Sequence, residues 1–134
     1  MAREPAELRT LLRSVWEPEA VDQEVLALVR SVRPRVRVSL LSNATPSLES
    51  HLRALRIDHL FDPVINSARV GLRKPDPRVF EHALRVLGVP AGAVLFVDDK
   101  ERNTLVAEEL GIPSVVFRCA ADLEEALKAR GVLP

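Results

Sequence analysis

The stretch Val94-Leu95-Phe96-Val97, followed at once by Asp98-Asp99, decides the fold of this chain. Its four apolar residues show none of the alternation that marks a strand with one solvated face. A continuous apolar run of this length is typical of a strand buried on both faces of a parallel sheet. The run therefore predicts the central strand of an α/β fold, with two carboxylates at its carboxyl end.

Further apolar runs lie on both sides of this strand. Val36 to Leu41 predicts a second strand, which ends in Ser42-Asn43, and shorter strands are predicted at Val64-Ile65 and Ser114 to Phe117. Amphipathic helical segments separate them, so we expect right-handed crossovers and a Rossmann-like, three-layer parallel sheet. Ligands of such sheets bind at the carboxyl ends of the strands.

The helix before the central strand has clear boundaries. Asp76 is placed as an N-cap with Pro77 in the first helical position, and Gly88 follows the last apolar residue of the helical pattern. Lys74 therefore lies on a proline-rich loop that leads directly into this helix.

The N-terminal part of the chain has a helical pattern. Helices are predicted over Ala6 to Val15 and over Val21 to Val32, and Pro34 ends the second. This predicts a division into a helical segment, residues 1–34, and an α/β core, residues 35–134.

The acidic pair Asp98-Asp99 is a candidate metal site. Two like charges at the end of a buried strand repel each other, and a hard cation relieves that repulsion. Magnesium favours one or two carboxylates together with waters and a phosphate oxygen. A solvated turn in which Asp99 caps the next helix is an equally good interpretation of the spacing alone.

Ser42, Asn43 and Lys74 are candidate anion ligands. Ser42 and Asn43 offer a hydroxyl, an amide and backbone N–H groups just before a helix, and Lys74 offers a charge on a stiff loop. Taken singly, a plain turn and a solvated lysine are the stronger interpretations.

The charge composition argues against nucleic acid or an anionic membrane as a partner. Nineteen basic and nineteen acidic residues cancel, so no bulk field attracts nucleic acid or an anionic membrane. The basic cluster Arg30, Arg33, Arg35 and Arg37 has no interleaved aromatic residues and is interpreted as a solvated face. There is no apolar run of membrane-spanning length and no signal-peptide pattern, so a cytoplasmic protein is expected.

Three motifs occur in order along the chain: Leu40-Leu41-Ser42-Asn43-Ala44, then Gly71-Leu72-Arg73-Lys74-Pro75-Asp76-Pro77, then Phe96-Val97-Asp98-Asp99 with Asn103, Ala107 and Gly111. Together they resemble the haloacid dehalogenase-like (HAD) hydrolase superfamily. The resemblance runs from about Trp16 to Phe117. It implies that residues 1–34 are the remnant of a helical cap and that the core is the C-terminal part of the HAD-like core domain.

The resemblance implies a role for each candidate residue. Ser42 would bind the transferring phosphoryl oxygens with help from Asn43, and Lys74 would stabilise the charge of an aspartyl-phosphate. Asp98 and Asp99 would hold Mg²⁺, which favours a phosphatase over the metal-free dehalogenases of the family. Charge stabilisation and positioning are most of what phosphoryl transfer requires of a protein.

One departure from the family pattern limits the prediction of activity. Relatives begin with a strand that ends in Asp-x-Asp, which supplies the nucleophile and the acid/base, and this sequence has no Asp-x-Asp. We therefore expect a truncated or divergent Mg²⁺-dependent phosphatase-type hydrolase, inactive alone, whose core lacks its first strand. Without that strand, the strands that end at Ser42 and Asp98 are expected to pair directly.

Other functions and partners follow from the same departure. A non-catalytic interaction or regulatory module derived from a HAD hydrolase is the alternative. A phospho-acceptor receiver domain ranks lower, because its acidic pair would end the first strand. The expected ligand is a small phosphorylated molecule, and self-association or a companion chain is expected at the incomplete sheet.

Overall fold

The computed structural model of this chain describes residues 10–13 and 22–134. Its strands and helices follow one another along the chain as β1 (Thr10–Arg13), α1 (Gln23–Val32), β2 (Arg37–Ser42), α2 (Leu48–Ala54), β3 (Val64–Asn66), α3 (Ser67–Val70), α4 (Pro77–Leu87), β4 (Val94–Asp98), α5 (Glu101–Glu109), β5 (Ser114–Val116) and α6 (Ala120–Ala129). Short 3₁₀ turns cover Asp58–Leu60 and Ala91–Ala93. None of the helices in the described ranges is long and apolar enough to cross a membrane.

The five strands form one parallel sheet in the order β3-β2-β1-β4-β5. β4 contains the apolar run predicted as the central strand, and all five of its residues are buried. It lies inside the sheet between β1 and β5, but the middle strand of the five is β1. The predicted α/β class and its Rossmann-like parallel sheet are confirmed. The carboxyl ends of β2, β1 and β4 lie side by side at one edge of the sheet, the carboxyl edge.

Strand β1 corrects the prediction of a helix over Ala6 to Val15. Thr10–Arg13 is a strand, and it pairs with β2 on one side and with β4 on the other. The rest of the predicted helix lies outside the described residues. A short apolar run fits a helix or a strand equally well by periodicity, and here the unpaired backbone groups of β2 and β4 decide in favour of the strand.

The position of β1 also corrects two predictions about the sheet. The core does not lack a strand between β2 and β4, and these two strands do not pair directly. The chain itself fills the gap that motivated the expectation of self-association or of a companion chain. Self-association stays a prediction without that structural reason.

Helices cover both faces of the sheet. On one face α1, α2 and α6 pack against β2 and β4, and on the other α4 and α5 pack against β4. On the second face, Phe80 and Phe96 meet edge to face, with their ring centroids 5.1 Å apart. The sheet is therefore the middle of three layers.

Helix α1 is one element of the first of these layers. Asp22 caps it by accepting the N–H groups of Glu24 and Val25, and its buried face shares one apolar cluster with β2 and α6. Because β1 lies inside the core sheet, residue 34 does not separate a cap from the core at Thr10–Arg13. A cap origin for the rest of residues 1–34 stays a prediction.

Helix α4 begins and ends as predicted. The Asp76 side chain accepts the Arg78 N–H at 2.9 Å, Pro77 is the first helical residue, and Gly88 ends the helix at φ 71°. Lys74 precedes this helix, and its peptide bond to Pro75 is cis. The start of α4 at Pro77 thus brings Lys74, three residues earlier, to the carboxyl edge.

Candidate functional site

Asp98, the last residue of β4, lies at the centre of a group of polar contacts. Its side chain is almost completely buried, with the residue only 1% exposed. Oδ1 accepts the backbone N–H of Lys100 at 2.9 Å, and Oδ2 accepts Nζ of Lys74 at 3.2 Å and Nδ2 of Asn103 at 2.8 Å. Asp99, the other predicted metal ligand, is exposed.

Lys74 is buried as well, and its ammonium connects two strands that do not touch. Nζ donates to the carbonyl oxygen of Leu41 in β2 and to the carboxylate of Asp98 in β4, both at 3.2 Å. Because β1 lies between β2 and β4, the backbones of these strands are about 10 Å apart. The ammonium therefore lies across the carboxyl end of β1.

The electrostatics of Lys74 follow from its burial. Desolvation lowers the pKa of the Lys74 ammonium below its ordinary value, and the negative charges of Asp98 and Asp99 oppose that shift. The face of the Phe96 ring, whose centroid is 5.9 Å from Nζ, adds a weak attraction. A buried charge needs such partners, because leaving it unpaired costs several kcal/mol, about 3–5 in measured cases.

Asn43 follows β2 and is in contact with the backbone of Lys74. Its Nδ2 donates to the Lys74 carbonyl oxygen at 3.0 Å, and its Oδ1 accepts the Lys74 N–H at 2.9 Å. The sequence predicts Asn43 as a phosphate ligand. In the structure both polar atoms of its amide are directed at the Lys74 peptide groups.

Ser42 is the last residue of β2 and is 4% exposed. It lies in register with Asn66, the last residue of β3. Ser42 and Lys74 thus reach the same edge of the sheet, as predicted, and the role of the Ser42 hydroxyl in phosphate binding stays a prediction.

Asn103 is a site residue whose role the sequence pattern did not indicate. It lies in the first turn of α5, is 3% exposed and donates to Asp98. Its Oδ1 is buried and has no hydrogen-bond partner within the part of the chain that the structure describes. The signal in the sequence was its place five residues after Asp98, where the first turn of the following helix returns over the strand end.

A second polar cluster supports the loop after β2. The Arg69 guanidinium donates to the Glu49 carboxylate and to the Pro46 carbonyl oxygen, and Asn66 donates to the Thr45 carbonyl oxygen. Burial raises the pKa of the Glu49 carboxyl, but hydrogen bonds from Arg69 and Asn66 outweigh that effect, so its pKa is lowered overall. No short-range pattern in the sequence indicated this cluster.

The oxygen atoms at the carboxyl edge are of the kind that Mg²⁺ binds. They are the carboxylates of Asp98 and Asp99 and the unpartnered amide oxygen of Asn103. Within residues 10–13 and 22–134, no group of three or more His, Cys, Asp or Glu residues is placed to hold a metal. This donor set fits a weakly held Mg²⁺ that keeps several waters, and it does not fit a cage made of protein ligands alone.

The carboxyl end of β1 carries no acidic residue. The strand reads Thr10-Leu11-Leu12-Arg13, and Arg13 is in register with Leu40 and Val97, one residue before Asp98. The edge therefore brings together the predicted Lys74 and Asp98, with Ser42 on the neighbouring strand, but no carboxylate on the strand between them.

The sequence profile of one family, the haloacid dehalogenase-like hydrolases, matches residues 2–111. Two relatives with assigned activities are a phosphoserine phosphatase from Thermus thermophilus and a sesquiterpene phosphatase from Aspergillus oryzae. The first is 36% identical over 85% of this chain and the second 34% identical over 68%. The matched regions cover 46% and 47% of those proteins, so this chain spans about half the length of each.

A crystal structure of a HAD family enzyme from Bacteroides thetaiotaomicron, in complex with magnesium and inorganic phosphate, is similar to this fold. The two share 26% sequence identity with a TM-score of 0.67, over 73% of this chain and 53% of that one. The sequence matches and the similar fold thus indicate the same family as the three motifs at the carboxyl edge.

Proposed function

Because the chain belongs to the haloacid dehalogenase-like hydrolase family, we propose that it carries a phosphatase-type site that binds Mg²⁺ and a small phosphorylated molecule but lacks the nucleophile for hydrolysis. The phosphatase names of two relatives support the class of ligand. The magnesium and phosphate bound by the Bacteroides enzyme support the pair of ions. This chain covers about half of each relative, so its own ligand is argued from its residues.

The observation that carries the proposal is the buried ion pair between Lys74 and Asp98, whose side chains are 4% and 2% exposed. Such a pair adds little stability, since desolvation offsets most of the attraction between the charges. Its place at the carboxyl edge is where parallel α/β sheets bind ligands. A binding role explains the pair better than a role in folding.

The charges at this edge suggest an order of binding. The carboxylates of Asp98 and Asp99 lie beside the ammonium of Lys74, so they repel a phosphate dianion that approaches it without a metal. Mg²⁺, when bound through these carboxylates, would neutralise them and attract phosphate oxygens. We therefore expect phosphate to bind together with Mg²⁺ and much more weakly without it, with Lys74 and Ser42 contacting the phosphoryl oxygens.

The missing step is the covalent one. Family members form an aspartyl-phosphate on the first Asp of Asp-x-Asp, and a second acid serves the leaving group. This sequence has no Asp-x-Asp, and β1 offers no carboxylate. Binding a phosphate ester without a nucleophile leaves the ground state stabilised and the barrier to hydrolysis nearly unchanged.

The direct test is calorimetric titration with Mg²⁺. Wild type should bind at millimolar metal, Asp98→Ala should not, and Glu108→Ala, which removes an exposed carboxylate on α5, should bind like wild type. A second titration adds inorganic phosphate with and without Mg²⁺. Equal Mg²⁺ binding by wild type and Asp98→Ala, or no binding by either, would contradict the proposal.

A non-catalytic regulatory module is the second candidate, and the absence of Asp-x-Asp favours it too. In that case binding of the phosphorylated ligand is itself the output. The two candidates differ in one respect: a companion chain that supplies Asp-x-Asp restores hydrolysis to a split enzyme and does nothing for a regulatory module.

A further inference from the structure

The Asn43 side chain contacts Lys74 in a way that assigns it a different role from a phosphate ligand. Its amide donates to the Lys74 carbonyl oxygen at 3.0 Å and accepts the Lys74 N–H at 2.9 Å. We infer that Asn43 is a positioning residue that holds the Lys74 backbone so that the ammonium reaches Asp98. The inference rests on the proposed function, since it concerns how the phosphate site is built.

Both ends of Lys74 are held by the same short segment at the end of β2, residues 41–43. Asn43 holds the backbone, and the carbonyl oxygen of Leu41, two residues earlier, accepts from Nζ at 3.2 Å. A lysine has a flexible four-carbon stem, and fixing it costs about 2 kcal/mol of side-chain entropy. With the backbone fixed, fewer conformations of the stem lead away from Asp98.

The orientation of the amide argues against direct binding of phosphate by Asn43. The Lys74 peptide groups determine which way the amide faces, because one bond needs its oxygen and the other its nitrogen. A phosphate oxygen near Oδ1 would meet a second partial negative charge, and one of the two N–H groups of Nδ2 already donates to the Lys74 carbonyl oxygen. These contacts favour an effect of Asn43 on the ligand through Lys74.

The pair of bonds explains why this position needs an asparagine. Aspartate accepts the Lys74 N–H but cannot donate to the Lys74 carbonyl oxygen, and it adds a negative charge beside an anion site. Alanine makes neither bond. Asn43→Asp therefore removes one of the two hydrogen bonds, and Asn43→Ala removes both.

The experiment measures the lysine and the ligand separately. The chain has three lysines, Lys74, Lys100 and Lys128, so the ¹⁵N NMR signals of their ammonium groups are readily assigned. The Lys74 ammonium is buried and should exchange slowly with water, unlike the exposed Lys100. Binding of inorganic phosphate with Mg²⁺ is followed by ³¹P NMR, and denaturant unfolding reports stability.

The variants are Asn43→Ala, Asn43→Asp and the control Ser47→Ala. Ser47 is an exposed residue of the same loop, and its hydroxyl is bonded to that of Thr45 at 2.7 Å. We expect Asn43→Ala to lose the slowly exchanging Lys74 signal and to bind phosphate 10–100-fold more weakly, roughly the effect of removing an outer-shell partner. Asn43→Asp should lie between, and Ser47→Ala should match wild type.

Two results would overturn the inference. Weaker phosphate binding by Asn43→Ala with an unchanged Lys74 signal would make Asn43 a direct ligand. An unchanged signal together with unchanged affinity would give it no role. If wild type binds no phosphate, the proposed function fails, but the ammonium signal still tests whether Asn43 positions Lys74.

Discussion

Lys74 carries a positive charge in the buried interior, where the loss of hydration destabilises a charged group. Its ammonium is held by a carboxylate, a carbonyl oxygen and the face of a ring, and Asn43 holds its backbone. The contacts come from two segments of the chain, the end of β2 and strand β4. At the scale of the residue, Lys74 and Asp98 are each the charged partner that the other needs in the interior. A substitution of either should therefore strongly destabilise the protein.

Replacing Lys74 by methionine removes the charge and keeps much of the side-chain volume. Asp98 then stays buried without its cation, and we expect Lys74→Met to lower the free energy of unfolding by about 3–5 kcal/mol. Urea denaturation measures the change, and Lys100→Met, an exposed lysine, serves as the control with little effect. A loss no larger than that of the control would mean that the pair is not buried in solution.

The lowered pKa of Lys74 gives phosphate binding an alkaline limit. Phosphate is an anion, so its binding needs the protonated lysine, and the protonated fraction falls as the pH rises through the pKa. Because burial lowers that pKa, affinity should fall at a lower pH than the value of about 10.4 for an ordinary lysine. Phosphate titrations across the alkaline range measure this limit.

The control for the pH profile is Lys128→Met, which removes an exposed lysine on α6 and should leave the profile unchanged. Lys74→Arg should move the limit upward, because a guanidinium stays charged throughout. Identical profiles for wild type and Lys74→Arg would show that another group titrates.

At the scale of the elements, β1 is the strand that the sequence pattern predicted wrongly, as a helix. Local signals predict helix α4 and strand β4: a capped start and a terminal glycine for α4, and a continuous apolar run for β4. The four residues of β1 carry no such signal, and they are a strand because β2 and β4 both offer backbone partners. That information is nonlocal, and periodicity within a short window does not contain it.

The pairing of β1 is tested by a proline at its middle. Leu12 lies in register with Ser39 and Phe96, and Leu12→Pro removes an N–H from a strand with a neighbour on each side. The lost hydrogen bond and the unpaired partner it leaves should cost about 1–3 kcal/mol. Leu12→Val is the control, since a β-branched residue suits a strand.

Hydrogen exchange provides the second readout for β1. The amides of β1 should be protected to a degree similar to those of β4. Exchange of the Leu11 and Leu12 amides at the rate of an unstructured chain, together with no effect of Leu12→Pro, would contradict the strand.

The end of α4 gives a prediction about the backbone alone. Gly88 has φ 71°, and an added Cβ there would touch nothing within 4 Å, so Gly88→Ala should cost only the conformational strain, about 1 kcal/mol. Gly92 is equally open and has no positive φ, which makes Gly92→Ala the matched control with little effect. Thermal unfolding compares them. An equal effect of the two substitutions would mean that α4 does not end in the left-handed conformation.

At the scale of the whole molecule, the sequence predicted the fold class and the edge that carries the polar residues. Ser42 and Asp98 reach that edge because each is the last residue of a strand with strong local signals, and Lys74 reaches it because it shortly precedes α4. The contacts between them did not follow from spacing. The Asn43 amide on the Lys74 backbone joins residues 31 positions apart, and the Asn103 bond to Asp98 depends on how α5 leaves β4.

The central claim is that this edge binds the ions of a phosphatase but does not by itself hydrolyse phosphate esters. Steady-state hydrolysis of p-nitrophenyl phosphate with Mg²⁺ tests it most directly, with wild type compared with Asp98→Ala and Lys74→Ala. We predict that wild type shows only residual turnover, no faster than either variant, because the sequence has no Asp-x-Asp and β1 itself contains no acidic residue. Robust turnover by wild type that either substitution abolishes would contradict the account and show that the chain, or a second copy of it, supplies a nucleophile.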